Sequence, residues 1–192
     1  MSFFDLVKES RSIRIFDRSK AISEETLKEF VEIARYTPAT ANRQPLKYRL
    51  VFENDEVDAI RGVTKWGAAL PDYNGPEPEQ SPSAYIVICQ DTSISDDPHL
   101  FNRDVGIAAQ TMALAACEKG IGSCMIGSFD PAKTSDILSI PETAKPKLIL
   151  ALGYSKQKTV IEDADKGVTY YRDADNVHHV PKRTAAELII SK

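Results

Sequence analysis

The chain has 192 residues, with 24 lysines and arginines against 28 aspartates and glutamates, a formal net charge of −4. That balance argues against a general nucleic-acid binder, which carries a basic surface, while 42% hydrophobic and 27% charged residues argue against disorder. The length reads as one domain spanning 1–192, able to bury roughly 70% of its unfolded surface without disulfides or a structural metal.

Residues 3–9 read as a short helix with Phe3, Phe4, Leu6 and Val7 apolar, and 10–16 break that pattern. Ser23 reads as an N-cap with Glu24 and Glu25 facing the helix dipole. Leu27, Phe30, Val31 and Ala34 then recur at helical spacing, and the helix ends before Pro38. The segment 47–53 alternates and is rich in β-formers, so it reads as a strand, and Asn54 reads as the cap of a short helix running to Arg61. From Gly62 to Ser83 the chain holds Pro71, Pro76, Pro78, Pro82 and the sole tryptophan, Trp66. A loop of that length inside a compact domain is functional or mobile.

The continuous apolar run 84–89 predicts a buried strand. Residues 101–119 predict a helix apolar nearly all round, hence central, with Gly120 as its C′ residue. A short strand at 123–126, a helix at 131–138 opened by proline, and a strand at 147–154 follow. The C-terminal extension 155–192 is polar and of mixed charge, ending in a capping-box pattern at Thr184 to Glu187 before Leu188, Ile189 and Ile190. Helices and strands without strict βαβ alternation predict an α+β fold, with helices against a mainly antiparallel central sheet.

Cys89, Cys117 and Cys124 are odd in number and form no C-x-x-C, which points to a reduced, cytoplasmic protein. Charge at Asp5, Lys8 and Glu9 interrupts any signal-peptide core, and no apolar run is long enough for a membrane helix. His178 and His179 are adjacent, so on an extended segment they face opposite ways and make a poor chelate; no metal site is expected. Cys124 has no histidine beside it and reads as a packing residue.

Four stretches could carry chemistry. Arg11, Ser12 and Arg14 place two guanidiniums and a hydroxyl within four residues, a set that can converge on a phosphate or form a solvated basic turn. Pro38, Ala39, Thr40, Asn42 and Gln44 lie in a loop bounded by Pro38 and Pro45. The amides of Asn42 and Gln44 can read a heteroaromatic edge, or the loop is a plain helix-to-strand connection. The run from Gly120 to Gly127 follows a helix and has Met125 where the third glycine of a dinucleotide fingerprint belongs. Its glycines would let the backbone lie against a flat ligand, or make a turn. Lys182 and Arg183 form a second basic cluster, or a charged helix start.

Taken in order, these stretches resemble the nitroreductase family of FMN-dependent oxidoreductases. The resemblance rests on R-S-x-R at Arg11 to Arg14, P-A-x-x-N-x-Q-P at Pro38 to Pro45, D-x-G-x-A-A-Q at Asp104 to Gln110, G-I-G-S-C-x-I-G at Gly120 to Gly127, and A-L-G-Y at Ala151 to Tyr154. It implies an intertwined homodimer with FMN at the subunit interface. Arg11, Ser12, Arg14 and Lys182 or Arg183 of one subunit would hold the phosphate side. Pro38, Ala39, Thr40, Asn42 and Gln44 of the other would pack on the ring and its chain, with Met125, Ile126 and Gly127 along the isoalloxazine. It implies hydride passage from NADH or NADPH through flavin to a nitroaromatic, quinone or similar small acceptor by a ping-pong mechanism, with no nucleic-acid or membrane partner. The alternatives are a flavin-binding module without turnover and a dimeric scaffold without cofactor. The chain departs from the family at Ser10, where a second arginine is common, and the stretch 62–83 does not align.

Overall fold

The computed structural model describes residues 1–70 and 73–190; Pro71 of the proline-rich stretch lies outside the described residues. Four strands, β1 (Leu46–Val51), β2 (Ala84–Asp91), β3 (Gly122–Ile126) and β4 (Ala144–Gly153), form an antiparallel sheet in the order β1-β2-β4-β3. Alternation along β2 and β4 divides the core in two. Ile86, Ile88, Leu150 and Leu152 pack against α2 (Glu24–Ala34) and α4 (Asn102–Glu118). Tyr85, Val87, Ile149 and Ala151 pack on the other face with Val57 and Ile60 of α3 (Asn54–Val63) and Leu138 of α5 (Pro131–Leu138). The sheet is therefore covered on both faces, which is why β2 is apolar without interruption from Ala84 to Cys89.

The expected caps hold at Ser23, whose side chain accepts from the Thr26 N–H, and at Thr184, which makes a full capping box with Glu187 before α6 (Ala185–Leu188). Several boundaries differ. Glu53, not Asn54, precedes α3. Asn54 is instead the first helical residue, and its Oδ1 accepts from Arg18 Nη2 at 2.9 Å. β1 ends at Val51 and β4 starts at Ala144, earlier than its apolar run.

The stretch 62–83 is anchored at several buried residues where it is described, while others in it are exposed. Trp66 is buried and donates from Nε1 to Thr64 Oγ1 at 3.0 Å. The Phe16 N–H donates to Gln80 O at 2.9 Å, and Ser83 Oγ donates to Lys20 O at 2.6 Å.

The C-terminal extension holds a second sheet that its polar composition concealed. β5 (Thr159–Asp163) runs parallel to β7 (His178–Lys182), and β6 (Tyr171–Arg172) pairs antiparallel to β7 on its other side. His178 and His179 face opposite ways, as adjacent strand residues must. His179 reaches Glu162 at 2.9 Å and Asp173 at 3.1 Å, whereas His178 is buried toward the first sheet's edge beside Arg14.

Candidate functional site

The site begins with α1 (Phe3–Glu9), which buries none of its residues. The segment after it crosses the ends of β3 and β4. The Ile13 N–H donates to Ser123 O at 2.8 Å, and Phe16 bridges to Ser155. Gly122 and Gly153 pair across those strand ends. A Cβ on Gly122 would lie 2.8 Å from Ile13 Cγ1, and one on Gly153 would lie 2.8 Å from Phe16 Cδ1. The two glycines are thus seats for Ile13 and Phe16. This corrects the ligand-or-turn reading of Gly122 in the glycine-rich run; Gly120, which turns the chain with φ of 72°, and Gly127 are the exposed glycines of that run, each with nothing within 4 Å of its Cβ position.

With Ile13 and Phe16 pinned inward, Arg11, Ser12 and Arg14 face a cavity of about 310 Å³. Met125 of β3 and Tyr170, His178 and Lys182 of the C-terminal extension also line it. Three cations and several hydroxyls meet there, and no carboxylate lines the cavity among the described residues. A phosphate dianion fits that donor set, because a guanidinium offers paired donors and Arg11, Arg14 and Lys182 line the cavity with no carboxylate beside them in its lining among the described residues. Met125, 38% exposed, adds an apolar surface beside the cations, as a ligand with both a phosphate and a flat apolar part requires.

Arg14 is held on every side. Its N–H donates to Gln157 Oε1 at 3.0 Å, and its carbonyl accepts from Tyr73 Oη at 2.7 Å. Its guanidinium lies over the Tyr170 ring at 4.9 Å, and Nη1 is 3.3 Å from His178 Nε2. Arg11 donates from Nη2 to Val7 O at 2.8 Å, and its Nε is buried without a partner among the described residues. His178 is 2% exposed. Burial first, then the charges of Arg14, Arg172 and His179, push its imidazole down to about 4, so it is neutral at physiological pH.

The other sequence-predicted residues divide. Pro38, Ala39 and Gln44 line a separate cavity of about 270 Å³ that shares no residue with the first. Thr40 donates from N and Oγ1 to Asp104 Oδ1 and Oδ2, at 2.6 and 2.8 Å, and Asp104 is buried. The Asp of the D-x-G pattern therefore ties this loop to the start of α4. The loop is turned sharply: Ala41, Asn42 and Gln44 all have left-handed backbones, with φ of 48, 53 and 49°. The Ile126 side chain points into the core, which leaves only its backbone for a ligand, and Arg183 does not line the cationic cavity although Lys182 does. Burial raises the Cys124 thiol, in keeping with a packing role. Sequence reasoning missed Tyr170 and assigned His178 no role in the site; neither belongs to a motif, and only the pairing of β7 brings His178 to Arg14.

A family model described as Nitroreductase family matches residues 7–154. A protein of Methanothermobacter thermautotrophicus whose name includes NAD(P)H nitroreductase is 25% identical over 182 residues, covering 93% of this chain and 86% of that protein. Among solved structures, a nitroreductase family protein from Streptococcus pneumoniae superposes with a TM-score of 0.73 over 100% of both chains at 20% identity. An FMN-dependent nitroreductase from Clostridium difficile superposes with a TM-score of 0.66 at 21% identity, over 81% of this chain and 89% of that one. At these identities the structural likeness establishes the fold.

Proposed function

The chain belongs to the nitroreductase family, and from that premise we propose that it is an FMN-dependent NAD(P)H oxidoreductase acting on a nitroaromatic, quinone or similar small acceptor by a ping-pong scheme. The observation that carries the reading is the cavity in which Arg11, Arg14 and Lys182 converge with Ser12 and no carboxylate. When bound, FMN supplies the redox chemistry, as a two-electron carrier between NAD(P)H and the acceptor. Arg11, Arg14, Ser12 and Lys182 hold its phosphate, and Met125 with the backbone at Ile126 and Gly127 borders its ring. The fixed cations also favour negative charge developing in the cavity without reorganisation.

The proposed site is shared across a homodimer. The Pro38 to Gln44 loop lines a cavity apart from the cationic one within a single chain, which supports a second copy bringing the two together. Apolar surface available for such a partner is present: Phe3, Phe4 and Ile189 are each more than 60% exposed. No helix among the described residues is long and apolar enough to cross a membrane. The three free cysteines support the proposed reduced, cytoplasmic setting.

The test is the visible spectrum of the purified protein, followed by anaerobic NADPH and then NADH. A yellow protein that bleaches and regains colour with an acceptor is the expected result. Yellow protein that never bleaches would make the chain a flavin-binding module, and protein that stays colourless with added FMN would remove the reading. Light scattering at micromolar concentration should report a dimer; a flavin-bound monomer would refute the shared site.

A further inference from the structure

We infer that His178 is a positioning residue, a neutral hydrogen-bond acceptor behind the cationic cavity that fixes the direction in which Arg14 presents its guanidinium to a phosphate. The inference rests on the proposed reading for the identity of that phosphate as FMN's.

The geometry is specific. Arg14 Nη1 stands 3.3 Å from His178 Nε2, and the residues are 164 positions apart in the chain. A guanidinium only donates and stays charged throughout the accessible pH range. Nε2 must therefore carry the lone pair, which places the imidazole proton on Nδ1. Nδ1 is buried and has no partner among the described residues. An arrangement that leaves a buried donor unpaired gains from the other side of the ring, and that side faces Arg14.

The remaining contacts of the Arg14 head are soft. The Tyr170 ring lies 4.9 Å beneath it, and the Ser12 carbonyl is at the limit of hydrogen bonding, at 3.5 Å. Neither sets the rotation of the planar fork. His178 does, and it is itself anchored: its backbone N–H donates to Lys158 O at 2.9 Å, and its ring leans on Tyr170 at 5.3 Å.

A carboxylate in place of His178 would also hold Arg14, but it would neutralise the charge that the phosphate needs. A neutral imidazole orients the guanidinium and leaves that charge intact. The charged and titratable groups around His178 maintain this state. Arg14 faces it from the segment after α1, Arg172 from β6, and His179 flanks it on β7. Lys182, also on β7, shares its cavity. The two carboxylates nearby, Glu162 and Asp173, are bonded to His179 on the opposite face of β7.

The test measures FMN affinity by flavin fluorescence quenching for wild type, His178→Phe, His178→Asn and His178→Asp, each checked for folding by circular dichroism. His178→Phe should weaken FMN about tenfold, the scale of one charge-assisted hydrogen bond. His178→Asn, which restores a neutral acceptor, should stay within about threefold of wild type, and His178→Asp should be weaker than His178→Asn. In an Arg14→Ala background, His178→Phe should add less than about twofold, because it acts through Arg14. Effects that multiply in the double variant, or a His178→Phe protein with wild-type affinity, would overturn the inference. Long-range proton–nitrogen NMR of the imidazoles in flavin-free protein supplies a second reading. It should show an Nδ1-protonated His178 whose Nε2 resonance moves in Arg14→Ala. An Nε2-protonated ring would overturn the positioning role even if FMN proved not to bind, whereas failure of FMN binding with the expected tautomer would overturn only the identity of the anion.

Discussion

Ile13 sits on Gly122, so close that a Cβ at residue 122 would stand 2.8 Å from Ile13 Cγ1 and 3.2 Å from Ile13 Cβ. The atoms in the way belong to the inner part of a buried side chain, and Gly153 O closes the other side at 3.3 Å. Arg11 and Arg14 flank Ile13, so the glycine registers the phosphate-facing residues against the sheet. Gly122→Ala should destabilise the fold by about 1–3 kcal/mol, as overpacking does in tight cores. Urea denaturation would measure that loss, and FMN retention on a desalting column should fall with it.

The cationic cavity separates Lys182 from its neighbour Arg183. Arg14→Ala and Lys182→Ala should each weaken FMN by roughly tenfold to a hundredfold, the range for hydrogen bonds to a charged group. Arg183→Ala should leave affinity near wild type, because Arg183 does not line the cavity. Equilibrium dialysis of the three variants would check the order.

The Pro38–Gln44 loop carries an inverted expectation. Ala41 has φ of 48°, a conformation costing an ordinary residue about 1–2 kcal/mol. Glycine relieves that strain and returns only part of it in unfolded-state entropy, about 0.4–1 kcal/mol. Ala41→Gly should therefore stabilise the protein by about 0.5 kcal/mol. Asp104→Ala should cost about 1–3 kcal/mol, since it strands the Thr40 N–H that now donates to Asp104 at 2.6 Å. Thermal melts would give both signs, and hydrogen exchange of 38–44 would show whether the loop loosens in Asp104→Ala.

The two adjacent histidines should shape opposite limbs of the stability curve. Hydrogen bonds to Glu162 and then Asp173 raise His179 above 6.5, so its contribution is full below 6.5 and is lost as pH rises through the higher folded value. Burial depresses His178 from 6.5 to about 4, so the unfolded chain takes up a proton first and stability falls as pH drops between those values. Glu162 and Asp173 are lowered, chiefly by their bonds to His179, and their contributions fade only as pH falls through the acid range. Stability should therefore peak near 6.5. His179→Gln should flatten the alkaline limb and His178→Asn the acid limb, read from urea midpoints across pH.

The helices and strands of the main sheet were legible because their signals are local. Ser23 caps α2 through a residue three positions on, and the Ala84 to Cys89 run is apolar because β2 is covered on both faces. The spacing of Arg11, Ser12 and Arg14 was legible as a cationic cluster, open between an anion site and a solvated basic turn. The small C-terminal sheet was not legible. Its strands are short and half-exposed, and Tyr171 and Arg172 alone make up β6, so no periodicity announces it.

The sequence by itself determined the elements of the main fold, the order of the motifs and the cationic chemistry of the segment after α1. Each depends on side chains within a turn or two of one another. Only the tertiary structure decided which of these residues meet. It admitted Lys182 and left Arg183 outside, turned Ile126 into the core while Met125 faced the cavity, and bound Thr40 to Asp104 across 64 residues. It also set a neutral histidine against Arg14 from 164 residues away. Such contacts follow from strand register and sheet edge, where a shift of one residue turns every side chain to the other face, and no local pattern records that register.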